Sequence, residues 1–86
     1  RFPALRLAYS AQEKGGSMPC TMNGANEIAV AAFLRGEIKF GAIPHIIEDT
    51  MAVAHVIGQP SLEDIFQADE SARRTASEAL KKYILK

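Results

Sequence analysis

Apolar residues recur along this chain at the three- and four-residue spacing of helices, with no alternating stretch long enough for a strand; Ile38-Lys39-Phe40 is too short to pair alone. At about 100° per residue, Ala4, Leu5, Leu7, Ala8, Tyr9 and Ala11 share one side of a helix over Pro3–Lys14. Arg6, Ser10, Glu13 and Lys14 share the other. Pro3 stands in the first turn, where its missing amide is harmless, and Gly15-Gly16 supply the stop. The segment is expected to bury one face.

A second helix is expected over about residues 18–35, opened by Ser17 or Thr21 and closed by Gly36. Its unbroken apolar run, Ile28–Leu34, covers every side of the cylinder, which predicts a central helix enclosed by others. Alanines at 29, 31 and 32 would let those neighbours approach closely.

The third helix is predicted over Ala42–Ile57, with Pro44 in its first turn and Gly58 as terminator. Ile43, Ile46, Ile47, Thr50, Val53, Ala54 and Ile57 form its core stripe. After Gln59-Pro60, Ser61-Leu62-Glu63-Asp64 has the form of a capped start for a short helix through Gln67, pinned by Leu62, Ile65 and Phe66. Asp69 is then expected to cap a last helix whose buried side is Ala72, Ala76, Ala79, Leu80, Tyr83 and Ile84. Asp69 and Glu70 at its start and Lys81, Lys82 and Lys86 at its end suit the helix dipole, and Glu70 with Arg74 and Glu78 with Lys82 are spaced to pair. The fold class is therefore all-α: a compact bundle of four main helices plus one short helix.

Composition narrows the function more than the fold. Ten basic and ten acidic residues give no net charge, so the broad positive footprint for nucleic acid or anionic lipid is missing. No apolar run approaches the roughly 20 residues of a membrane helix. Cys20 is alone and has no internal disulfide partner, which fits a reducing compartment. The chain lacks an initiator Met and reads as a single domain, residues 1–86, cut from a longer protein.

Candidate chemistry is sparse. His45, Glu48, Asp49 and His55 lie on the polar side of the third helix, and His45 with Asp49 has a spacing that can chelate a metal. His45 and His55 would stand about 15 Å apart along the axis, too far to share an ion, and a solvated helix face is the preferred reading. A small metal-dependent hydrolase using His45, Glu48 and Asp49 is a remote alternative. Asn23, Asn26 and Glu27 form a polar cluster that runs on into Val30, Ala31 and Leu34, predicting a covered patch. Those groups either reach a ligand or neighbouring domain or, as preferred, satisfy loop backbone within this one. Cys20 has no base close in sequence, and Gly15-Gly16 lacks the preceding strand and the spacing of a phosphate loop. No catalytic, cofactor-binding or metal residue is assigned.

The run Met22-Asn23-Gly24-Ala25-Asn26-Glu27-Ile28-Ala29-Val30-Ala31-Ala32-Phe33-Leu34 closely resembles the asparagine-rich central helix in the C-terminal domain of the 1-deoxy-D-xylulose 5-phosphate reductoisomerase family. Phe2-Pro3-Ala4-Leu5-Arg6-Leu7-Ala8, Ile38-Lys39-Phe40, Ser61-Leu62-Glu63-Asp64-Ile65, Asp69 and Ala72-Arg73 resemble its other landmarks, in order. Gly24 departs from the family's usual Asn-Ala-Ala-Asn-Glu near the start of the helix, where an interior glycine costs about 1 kcal/mol relative to alanine. The resemblance implies a parent enzyme of non-mevalonate isoprenoid biosynthesis that uses NADPH and a divalent metal ion to convert 1-deoxy-D-xylulose 5-phosphate to 2-C-methyl-D-erythritol 4-phosphate. It implies further that the nucleotide-binding domain, metal ligands and phosphate contacts precede this segment. The expected role is structural support of the catalytic domain of the same enzyme, in a homodimer of bacterial cytoplasm or plastid, with no cofactor, nucleic acid or membrane bound by the fragment. An autonomous helical protein-binding module is the alternative.

Overall fold

The computed structural model of the chain describes residues 3–85, with side chains from residue 6 onward, so the expected apolar positions Ala4 and Leu5 and the basic Lys86 lie outside what is described. Four α-helices follow in order: α1 (Pro3–Lys14), α2 (Met18–Leu34), α3 (Ala42–Val53) and α4 (Leu62–Leu80), with a single 3-10 turn over Lys81–Tyr83. No strand occurs among the described residues. The all-α class is as the periodicity predicts, and the bundle's Cα radius of gyration, 12.4 Å, is close to the ~12 Å typical of a domain this long.

α2 is central, packing against α1, α3 and α4. Its inner side is made of small residues: Thr21, Gly24, Ala25, Ala29 and Ala32 are buried, with Met18 at the start. α4 answers with Ala72, Ala76 and Ala79, while α3 fills the remaining volume with Ile43, Ile46, Ile47 and Met51. Thr50 is buried among them, its hydroxyl satisfied by the Ile46 carbonyl one turn earlier at 2.9 Å. α2 ends where expected: beyond Arg35, Gly36 takes a left-handed φ of 77° and the Gly36 and Glu37 amides bond back to the Phe33 and Ala32 carbonyls.

The enclosure of α2 is incomplete. Ala29 and Ala32 have no exposure, yet Leu34 is 76% exposed, and Ile28, Val30, Ala31 and Phe33 are half-buried. Three neighbours cannot wrap a whole cylinder, so an apolar run on every side leaves a stripe facing outward. On α1 the predicted face holds at Leu7 and Ala11, but Tyr9 points outward.

Two boundaries differ from the periodicity. α3 stops at Val53, not Ile57, because Ala54 turns to an extended conformation (ψ 143°), and Val53 and Ile57 of the predicted stripe become exposed. What wins over helical propensity is a clamp on Ser17. This fully buried residue accepts from the Ile57 amide at 2.9 Å through its hydroxyl, which also approaches the His55 carbonyl, and donates its own amide to the Ile57 carbonyl at 3.0 Å. Ser17 thus precedes α2 without capping it with its side chain. Gly16, at φ 53°, admits the connector: a Cβ there would collide with the Ile57 carbonyl oxygen.

The expected short helix and last helix are one. Ser61 caps it as read, its hydroxyl accepting from the Asp64 amide while the Asp64 carboxylate accepts from the Ser61 amide. Asp69 is interior to α4 and no cap. Leu62 and Phe66 do not pin the segment, being 71% and 64% exposed; the anchor is half-buried Ile65. At the far end Ile84 is exposed and Tyr83 half-buried. The pairs Glu70–Arg74 and Glu78–Lys82 are not formed: Arg73 pairs with Asp69, Lys81 with Glu78, and Lys82, carried past the end of α4 by the 3-10 turn, reaches α3.

Ala32→Leu is expected to destabilise the domain by about 1–3 kcal/mol through overpacking, whereas Leu34→Ala shifts it by less than about 0.5 kcal/mol as an exposed change. Urea unfolding of both variants measures this, and equal effects would contradict the packing described.

Candidate functional site

Three polar assemblies tie the helices together. The first joins α2 to α4. The Arg73 guanidinium donates to Glu27 at 2.7 Å and to Asp69 at 3.0 Å, so one α4 cation holds a carboxylate on each helix, and both raise its pKa further. Asn23 and Glu27 are exposed and Asn26 half-buried. Among the described residues the asparagine side chains make no hydrogen bond, and Glu27 bonds to a side chain, not to loop backbone. The patch that continues through Val30, Ala31 and Leu34 is covered only in part within this domain: Val30 and Ala31 are half-buried and Leu34 is exposed. Asn23, Asn26 and Glu27 lie on one helix, α2, and of the three only Glu27 is engaged by Arg73, which lies too far along the chain for spacing alone to find.

Gly24 sits beneath this assembly and explains its own departure from alanine. A Cβ there would come 3.1 Å from the Asp69 carboxylate and 3.4 Å from the Ala72 methyl, so α2 and α4 cross at close range. Alanine's ~1 kcal/mol advantage in helix propensity is therefore offset by a contact that pushes on the Asp69–Arg73 pair. Gly24→Leu is expected to lower stability by more than about 1 kcal/mol through overpacking, with Gly24→Ala close to neutral; thermal unfolding of the two variants tests the crossing.

The second assembly joins α3 to the end of α4. Asp49 accepts from the Tyr83 hydroxyl at 2.9 Å and from the Lys82 ammonium at 3.0 Å, while His45 stacks on the Tyr83 ring at 6.1 Å between centroids. Lys82 holds the Asp49 carboxyl below its usual range, with help from Tyr83 and against partial burial; burial, then Asp49, raises the Tyr83 pKa. His55 lies beyond α3 in the extended connector. Among the described residues no group of three or more His, Cys, Asp and Glu side chains converges to hold a metal ion, and Asp49 is already engaged by two donors.

The third is the Ser17 clamp. It fills the space that a phosphate would need at Gly15-Gly16, because the Ile57 carbonyl already stands against the Gly16 backbone. The Gly15-Gly16 turn thus has no room for the pyrophosphate of a dinucleotide. Cys20 is half-buried with its thiol 3.6 Å from the Ile65 carbonyl, and burial followed by the Asp69 charge raises its pKa, the opposite of an activated nucleophile. A shallow cleft of about 240 Å³ between α2, α3 and α4 is lined by Thr21, Val53, His55, Gln67 and Ser71 among others, without a convergent charged set. Among the described residues no helix is long and apolar enough to cross a membrane.

Fold and surface together define a small all-α domain whose polar groups bind its own helices to one another and whose large apolar side chains remain partly open. The chain belongs to the family of DXP reductoisomerase C-terminal domains, whose model matches residues 1–75. It is 51% identical over 96% of its length to 1-deoxy-D-xylulose 5-phosphate reductoisomerase of Geotalea daltonii, and 49% identical over 91% to that of Halothermothrix orenii. In structure it is similar to the Zymomonas mobilis reductoisomerase solved in complex with NADPH, with a TM-score of 0.87, 45% identity and 93% of this chain covered. The chain spans 22%, 20% and 21% of these three proteins, about a fifth of each.

Because the folded-state pKa of Asp49 is depressed, its pairing stabilises the domain above the unfolded-state value and is lost as pH falls through the folded value. The stability difference between the natural chain and Asp49→Asn is therefore expected to be constant from neutrality to about pH 5 and to shrink below about pH 4, where the unfolded carboxyl titrates. Urea unfolding at a series of pH values checks this; the same gap at about pH 3 as at about pH 7 would rule it out.

Proposed function

We propose that this is the non-catalytic helical domain, residues 1–86, of an NADPH-dependent reductoisomerase that converts 1-deoxy-D-xylulose 5-phosphate to 2-C-methyl-D-erythritol 4-phosphate in non-mevalonate isoprenoid biosynthesis, and that it keeps the catalytic domain in shape. The observation that carries this reading is the family match over residues 1–75 of a chain about one fifth as long as its relatives. The internal engagement of Arg73, Asp49 and Ser17 supports it, since groups occupied in holding helices together are not free to turn over a substrate. NADPH and a divalent metal ion then belong to other parts of the parent enzyme, which we take to be a homodimer of the bacterial cytoplasm or plastid. Within this domain the cluster Asn23, Asn26 and Glu27 has a structural role, with Glu27 fastening α2 to α4.

The exposed pair Leu62 and Phe66, one turn apart on α4, would suit an autonomous protein-binding module instead. Retention of one unrelated protein, with no affinity for the remaining reductoisomerase domains, is the result that would favour that alternative.

Deleting this segment from the full enzyme is expected to abolish substrate-dependent NADPH oxidation, and adding the separately produced domain to restore a measurable part of it. Turnover by the domain alone, or full activity of the truncated enzyme, would overturn the proposal.

A further inference from the structure

Two concavities of about 250 and 350 Å³ flank the start of α3 and share Gly41 and His45. They form one channel, running from Arg6 and Leu7 in the first turns of α1, past Phe40 and Gly41, to Tyr83 and Leu85. Its walls are fixed from behind. Phe40 is 70% exposed yet packs edge-on against Phe33 at 5.4 Å between centroids; Tyr83 is held by Asp49; and the Leu85 amide donates to the Glu37 carbonyl at 2.9 Å. Between them Gly41 presents no side chain, and a Cβ there would meet nothing within 4 Å. A preset apolar channel of this kind loses little side-chain freedom on filling, which favours occupancy by a chain segment.

We infer that this channel seats the polypeptide that immediately precedes the domain in the full-length reductoisomerase, an inference that rests on the function proposed above. The family describes a C-terminal domain, and the relatives are about five times as long as this chain, so the bulk of the parent lies before residue 1. That polypeptide arrives at Pro3, the first residue of α1. Arg6 follows three residues on, about 5 Å along the axis, and already lines the mouth of the channel. The chain therefore enters the bundle beside this opening, and aliphatic side chains set against Phe40 and Leu85 are what the channel would recognise.

Phe40 and Phe66 provide an internal comparison, since they are 70% and 64% exposed in the domain and lie on different elements. In hydroxyl-radical footprinting of the intact full-length enzyme, Phe40 is expected to be labelled severalfold more slowly than Phe66. Equal labelling, or protection of Phe66 with Phe40 open, overturns the inference. A photoreactive benzoylphenylalanine replacing Phe40 in the full chain identifies the occupant. Linkage to a peptide shortly before residue 1 of the same chain is expected; linkage to a second copy, revealed by mixing isotopically heavy and light protein, or to no protein, contradicts it. If deleting the segment abolishes activity while Phe40 in the intact enzyme is freely labelled, only the channel assignment fails. If the truncated enzyme keeps full activity, the functional proposal itself has failed.

Discussion

The close approach of α2 and α4 is the constraint from which the rest of this bundle follows. Gly24, Ala25, Ala29 and Ala32 on one helix and Ala72, Ala76 and Ala79 on the other offer so little side-chain volume that the backbones come together until a single added methyl at position 24 would press on Asp69 and Ala72. Dispersion between surfaces in such contact accumulates over many atom pairs, each worth only ~0.1–0.2 kcal/mol. With α4 drawn this close, the isoleucines of α3 complete the core from the third side, and Arg73 comes within reach of Glu27. The ion pairs therefore follow the alanine packing and do not cause it, because water at the surface screens them.

Where the chain departs from local periodicity, a long-range contact has overruled a short-range preference. Residues 54–57 continue the apolar stripe of α3 and would prolong it by propensity alone. They are extended instead because Ser17, forty positions earlier, offers both a donor and an acceptor to Ile57. In the other direction, Asp69 has the composition of a helix start, yet the capping box at Ser61 and Asp64 nucleates the helix earlier and nothing between them interrupts it. Helix existence, the central place of α2, its glycine stop and the Ser61 cap were all legible from spacing, because they depend on neighbours within a turn. The clamp, the Arg73 bridge and the partners of Asp49 were not, because each joins elements that only the assembled bundle brings together.

The same distinction governs the surface. An apolar run covering every side of a helix promises burial, but it does not say by what. Here three helices bury the alanine side and leave Leu34 outside, together with Phe40 on the following loop and Leu62 and Phe66 on α4. A core assembled largely from alanine and isoleucine holds this domain together while Tyr9, Leu34, Phe40, Leu62 and Phe66 stay exposed. That division of labour suits a piece about one fifth the length of its relatives, in which small residues shape the domain and large ones face outward.

Two glycines of α2 and its approach, both crowded, differ in what a side chain would displace. At position 24 the obstacle is the tip of the Asp69 side chain, which can swing aside, so an added methyl meets little resistance. At position 16 the obstacle is the peptide carbonyl of Ile57, which cannot move without releasing the connector after α3. A methyl at 24 is thus absorbed by one flexible side chain, whereas a methyl at 16 reaches across the bundle and shifts the join between its third and fourth helices.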